Sequence, residues 1–236
     1  MGPNGVEPGG GGSFAEMSVN LIEGSYTVRN VRRDFSEWHR GRSPYVFWGL
    51  DVDLPAVRAQ VARAAAHLGG YLLDAYGRQP HVTLDLCGFP GAASGHDDEF
   101  LPAMLERQCS ALRGAGVPAF EIEVGGLSSF SSAPFLSVGD RGGRIATVRE
   151  CLAVDGRPRL LGDYVPHVTV GLYAGAWPAT EVGARLAGFP GEDRTRCRIE
   201  RLSLMAYQPT EIGGPLSCLA DYLLASGEMR WRDSGF

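Results

Sequence analysis

No stretch of this 236-residue chain stays apolar for the roughly 20 residues that a membrane-spanning helix requires. Its N-terminal residues also lack the charged-then-apolar order of a secretory signal. A soluble, cytoplasmic protein without a membrane partner is the expectation. Cysteine is sparse and shows no pairing pattern. Cys87, Cys109, Cys151, Cys197 and Cys218 are odd in number, scattered, and never spaced Cys-x-x-Cys. They are read as reduced packing residues, with neither a disulfide framework nor a structural zinc site. An excess of positive charge is missing too. Against 27 Asp and Glu stand 22 Lys and Arg, for a net charge of −5. That balance argues against a duplex DNA binder, which needs a broad basic face, and leaves a small anionic substrate or an RNA end open.

The chain does contain one near-repetition. Pro80-His81-Val82-Thr83-Leu84 is matched by Pro166-His167-Val168-Thr169-Val170. With five histidines and seven threonines, chance placement would give roughly 0.15 His-x-Thr triplets, so two in near-identical frames exceed the background of a short motif. On a strand, side chains at i and i+2 share a face. Each motif therefore sets an imidazole beside a hydroxyl, while Val82 and Leu84, or Val168 and Val170, turn to a core. A lone His-Val-Thr would most simply be a buried structural histidine. The pair points to shared chemistry.

The surroundings of the motifs also repeat. Residues 1–24, with Pro3, Pro8 and Gly9–Gly12, read as a disordered tail. Residues 25–43 form an arm with Arg29, Arg32, Arg33, Arg40 and Arg42 among Tyr26, Phe35, Trp38 and His39, and Asp34 and Glu37 reduce its charge to about +3. Two readings of the arm stand: aromatic packing over the domain, or contact with an RNA strand. From 44 to 236 a strand–helix–strand–helix–strand order occurs twice, about 44–126 and about 127–236. In the first unit, Tyr45–Val52 is a strand, Asp53 and Pro55 open a helix striped by Val57, Val61, Ala64, Ala65 and Leu68, and Gly69-Gly70 ends it. The His81 strand, a helix opened by Pro102 and the alternating Phe120–Val124 strand follow. In the second unit, Phe135–Val138, a helix with Ile145, Val148 and Leu152, a break at Gly156 and Pro158, and the His167 strand lead to a short helix at Val182 and Leu186. A single strand over Cys197–Ala206 and a final strand within 216–231 complete the pattern. The fold class is α+β, and central strands related by a pseudo-twofold would bring both motifs to one groove.

The paired motifs, 86 residues apart in a duplicated chain, resemble those of the 2H phosphoesterase superfamily. The nearest likeness is to bacterial and archaeal 2′-5′ RNA ligase-like proteins, which are RNA 2′,3′-cyclic phosphodiesterases. The resemblance covers 44–236. It implies a bilobal fold with two antiparallel sheets lining a central groove and helices outside. It also implies a metal-independent enzyme without cofactor, a substrate class of RNA 3′ ends or small nucleotides bearing a cyclic phosphate, and a monomer. Hydrolysis needs a base for water, an acid for the departing ribose oxygen and donors for the phosphoryl oxygens. Two imidazoles fill the first two roles if one is neutral while the other is protonated. The threonine hydroxyls supply the donors. The family pattern makes His167 the base and His81 the acid. The alternatives are hydrolysis of 2′-5′-linked or cyclic oligonucleotides, or an RNA-end binding or ligase-like module with little turnover.

The chain departs from the family by lacking an arginine just after a motif. Asp85 follows the first, where strand alternation would place it beside His81 and Thr83, and Gly171-Leu172-Tyr173 follows the second. Arg78 or the arm is then the source of positive charge. Tyr173 is a candidate for stacking on a base, and Phe89, Phe130 and Tyr207 are candidates for substrate contact. His39, His67 and His96 are read as surface residues, and Asp97-Asp98-Glu99 as an acidic helix start.

Overall fold

The computed structural model describes residues 25–92, 95–155, 164–191 and 193–232. The expected tail at 1–24 and the break at Gly156 and Pro158 lie outside the described residues. In chain order the elements are α1 (Ser36–His39), β1 (Tyr45–Asp51), α2 (Pro55–His67), β2 (His81–Pro90), β3 (Glu99–Phe100), α3 (Pro102–Ala115), β4 (Phe120–Ser129), β5 (Pro134–Gly139), α4 (Arg144–Leu152), β6 (His167–Thr169), α5 (Ala179–Ala187), β7 (Thr195–Ile199), β8 (Arg201–Tyr207), β9 (Ser217–Leu223) and β10 (Glu228–Trp231). Two sheets form, ordered β10-β9-β8-β1-β2-β3 and β6-β5-β4-β7. All pairs are antiparallel except β2 with β3.

The two units do not build one sheet each. β4, from the first unit, pairs with β5 and β7 in the His167 sheet. In return β8 and β9, from the second, extend the His81 sheet through β1. Each half thus lends its last strands to the other.

Alternation decides which face is buried. Val46, Trp48 and Leu50 of β1, with Val82 and Leu84 of β2, are fully buried in the core under the helices. Leu136 and Val168 take the corresponding places in the other sheet, within the same buried cluster. A β-bulge at Gly125-Gly126 separates the pairs Val124–Val138 and Leu127–Leu136. Only glycine fits there, since a Cβ on Gly125 would lie 2.4 Å from the Asp193 carbonyl oxygen.

Several local expectations are corrected. Leu54, not Asp53, caps α2, and Asp53 instead pairs with Arg58 at 3.4 Å. The expected strand Cys197–Ala206 is two strands, broken at Glu200, and the chain changes sheets there. The last segment folds as the β9–β10 hairpin, giving two strands in place of one. Asp97–Glu99 do not begin a helix. Asp98 holds Arg42 through two oxygens at 2.5 and 2.9 Å, and Glu99 opens β3.

The arm is packed across both lobes. Thr27 and Trp177 exchange hydrogen bonds, Asn30 donates to the Ser132 and Tyr173 carbonyls, and Arg32 donates to the Asp74 carbonyl. Further on, Trp38 packs against Tyr45 and Phe89 with centroids 5.2 and 5.5 Å apart. His39 is buried, contrary to its reading as a surface residue, because the arm folds over it and Asp34 takes its Nε2 at 2.5 Å. His96 is exposed, and His67 bonds the Arg185 carbonyl. All five cysteines are free thiols. No helix among the described residues is long and apolar enough to cross a membrane.

Candidate functional site

The two motifs are built alike, atom for atom, in ways that begin with their prolines. Proline fixes its own φ and keeps the preceding residue extended, so the carbonyl two residues before each histidine is held in one place. His81 Nδ1 meets the Gln79 oxygen at 2.8 Å, and His167 Nδ1 meets the Val165 oxygen at 2.8 Å. The proline carbonyls are anchored in the same way: Pro80 accepts from Val52 N–H at 3.2 Å and Pro166 from Val138 N–H at 3.1 Å. A carbonyl only accepts, so each Nδ1 carries the hydrogen. The neutral form of both rings therefore has its lone pair on Nε2.

Pairing sets what shares the groove face. Asp51 lies opposite His81 and Gly49 opposite Thr83. Ser137 lies opposite His167 and Phe135 opposite Thr169. Each imidazole is backed by aromatic rings: Phe47 lies 5.4 Å from His81, while Phe130 and Phe135 lie 4.9 and 5.3 Å from His167. Val82 and Val168 point the other way, with no exposed surface. The threonines are partly exposed.

Charge and burial bias the two rings in one direction. Burial, then the positive Arg78 and repulsion from His167 when that ring is protonated, push His81 from 6.5 down to about 4, although the Gln79 carbonyl and Asp51 oppose the shift. Burial also lowers His167, against the Val165 carbonyl. The sign gives a stability prediction. Between the two His81 values the unfolded chain binds a proton that the folded chain refuses. Stability from this group is complete above pH 6.5 and is lost as pH falls through about 4. The full loss is about 3 kcal/mol. In denaturant titrations from pH 7 to 4, His81→Gln should flatten the fall in midpoint; an unchanged slope would mean that His81 is not held neutral.

Of the sequence candidates, His81, Thr83, His167, Thr169, Arg78, Phe130 and Tyr207 come together. The Arg78 guanidinium lies 4.2 Å over the Tyr207 ring, its Nε buried without a hydrogen-bond partner. The cationic group expected near the motifs is thus placed by a loop before the first one. Three candidates are not brought in. Asp85 turns away because β2 bulges at Leu84: Thr83 faces Gly49, but the next pair is Asp85 with Trp48. The extra residue flips the alternation, and Asp85 accepts from Gln108 Nε2 at 3.3 Å on the helix side. Phe89 is buried under Trp38 and Arg42. Tyr173 has no exposed surface and hydrogen-bonds Ser129 at 2.5 Å, since β6 ends at Thr169 and its alternation does not extend that far.

Two tyrosines outside the sequence candidates also reach the threonines. Tyr164 donates its hydroxyl to the Thr83 carbonyl at 2.6 Å, and burial raises it to about 12, so it stays a donor. Tyr76, largely buried, brings its hydroxyl to Thr169. Each precedes one motif by a few residues and reaches the threonine of the other. That repeated placement was the available signal. Among the described residues, no three His, Cys, Asp or Glu side chains gather as a metal site would require.

A model of the 2′-5′ RNA ligase superfamily matches residues 52–211. Among solved structures, TT0787 of Thermus thermophilus superposes with a TM-score of 0.54 at 15% identity, over 76% of this chain and 97% of that one. At that identity the likeness is one of fold. E. coli LigT complexed with 3′-AMP aligns with a TM-score of 0.46 at 18% identity, over 78% of this chain and all of that one. None of the curated proteins matches the chain in sequence.

Proposed function

Because the chain belongs to the 2′-5′ RNA ligase superfamily, we propose that it is a phosphodiesterase opening ribose 2′,3′-cyclic phosphates on RNA ends or nucleotides. The observation that carries this reading is the duplicated imidazole. Two rings, each with Nδ1–H tied to a carbonyl and each beside a threonine, leave two Nε2 atoms for proton transfer. His167 Nε2 takes a proton from water, and the resulting hydroxide bonds to phosphorus. The bond from phosphorus to one ribose oxygen breaks, and that oxygen takes the proton from His81 Nε2. Thr83 and Thr169 hydroxyls, with Arg78, stabilise the charge building on the other phosphoryl oxygens. One proton must therefore be present on the pair at the start, on His81. On its own His81 resists that proton, and the substrate's negative charge offsets Arg78 and favours it.

A substrate panel tests this reading: 2′,3′-cyclic mononucleotides, an oligonucleotide ending in a cyclic phosphate, 2′-5′ oligoadenylate and cyclic dinucleotides, all in excess EDTA. Turnover confined to the first two is the expected result. Activity that disappears in chelator and returns with a divalent ion would sink the two-imidazole chemistry. Turnover of 2′-5′ or cyclic oligonucleotides alone, or binding without turnover, would replace the substrate assignment.

A further inference from the structure

A continuous row of aromatic rings leaves the candidate site along the first strand and ends on the arm. From His81 it passes to Phe47 at 5.4 Å, to Tyr207 at 6.1 Å, to Tyr45 at 5.4 Å and to Trp38 at 5.2 Å. Phe47, the first link, is buried, as is Phe89 beside the row, whereas Tyr207 and Tyr45 are partly exposed and Trp38 is 39% exposed. Two arginines lie along it, Arg78 over Tyr207 and Arg42 over Phe89, and the exposed Arg40 follows Trp38 by two residues in the arm. Arg40 makes no ion pair among the described residues. Partly open rings interleaved with guanidinium groups suit a single strand, because every base offers a π-face and every nucleotide adds a phosphate.

Placement gives the row a direction. The arm crosses from Trp177 and Ser132 in one lobe, past Asp74, to Tyr45 and Asp98 in the other. It therefore carries the far end of the row, beyond Tyr45. Trp38 and Arg40 belong to the arm, and Tyr45 and Phe47 to β1, so the row joins the arm to the sheet that carries His81.

We infer that the Tyr207–Tyr45–Trp38 row, with Arg78 and Arg40, binds the nucleotides preceding the terminal phosphate, which makes the preferred ligand a single-stranded RNA end of about three nucleotides. This inference rests on the reading of the groove as a phosphate site. Base identity carries little weight in such binding.

The test uses the whole chain and RNAs of one to five nucleotides ending in a 3′-phosphate, measured by displacement of a labelled trinucleotide. Kd should tighten by roughly tenfold or more from one to three nucleotides and then level off. Trp38→Ala should weaken trinucleotide binding by roughly tenfold, Trp38→Phe should restore most of it, and the mononucleotide should bind all three chains alike. A Kd independent of length, or a trinucleotide Kd unmoved by Trp38→Ala in a chain of unchanged melting temperature, overturns the row. Length dependence without any turnover of cyclic phosphates would uphold the row and overturn the hydrolase. Turnover with a flat length profile would do the reverse.

Discussion

Alanine at His81 or at His167 is expected to lower turnover of a 2′,3′-cyclic phosphate by roughly 10²- to 10⁴-fold. The double replacement should be little worse than either single one, because a base and an acid serving one proton circuit fail together. Alanine leaves a hole beside Phe47 or Phe130, so asparagine is the better control for folding. Its amide can still donate to the Gln79 or Val165 carbonyl while having no titratable nitrogen. Comparable losses in both series, with melting temperature preserved in the asparagine chains, would assign the defect to proton transfer. A single variant of either histidine with full activity would remove the two-histidine mechanism.

The threonines test the strand argument itself. Valine at position 83 or 169 keeps the shape and deletes the hydroxyl, and it should cost roughly 10- to 1000-fold in turnover, the range for a lost transition-state donor. Threonine at position 82 or 168 does the opposite. Both valines are fully buried, and an unpartnered hydroxyl there should lower stability by about 1–3 kcal/mol with little effect on chemistry. Sensitive valines with tolerant threonines would mean that the groove receives the other face of each strand. Tyr164 and Tyr76 bear on the same experiment, since each spans the lobes to a threonine. Tyr164 holds the Thr83 backbone, and Tyr76 meets the Thr169 hydroxyl itself.

How far the sequence could be read depended on how local the determining physics was. Alternation over three residues was enough to set His81 with Thr83 and His167 with Thr169, and apolar stripes were enough to locate the helices. The same rule misplaced Asp85, because one bulged residue at Leu84 reverses every side chain after it and leaves no mark in composition. It misplaced Tyr173 by continuing a strand that stops at Thr169. Phe89 depended on Trp38, a partner far back in the arm. His39 had no pattern to betray burial, since its cover is the irregular arm itself. The crossing of β4 and β8 between sheets was least legible, because strand partners distant in sequence are chosen by the whole fold.

That crossing has a consequence for how the protein comes into being. β1 emerges early in synthesis, yet its neighbour on one side is β8: Tyr45 waits for Tyr207 and Gly49 for Ser203. Until the ribosome has delivered those residues, the sheet bearing His81 is open along an edge, with backbone groups unmet. The nascent first half therefore cannot mature as a unit and then be joined by the second. Like two hands clasped at the fingers, each lobe is completed by strands of the other, and a chain cut short before β8 would carry an intact first motif on a sheet with nothing along that edge of β1.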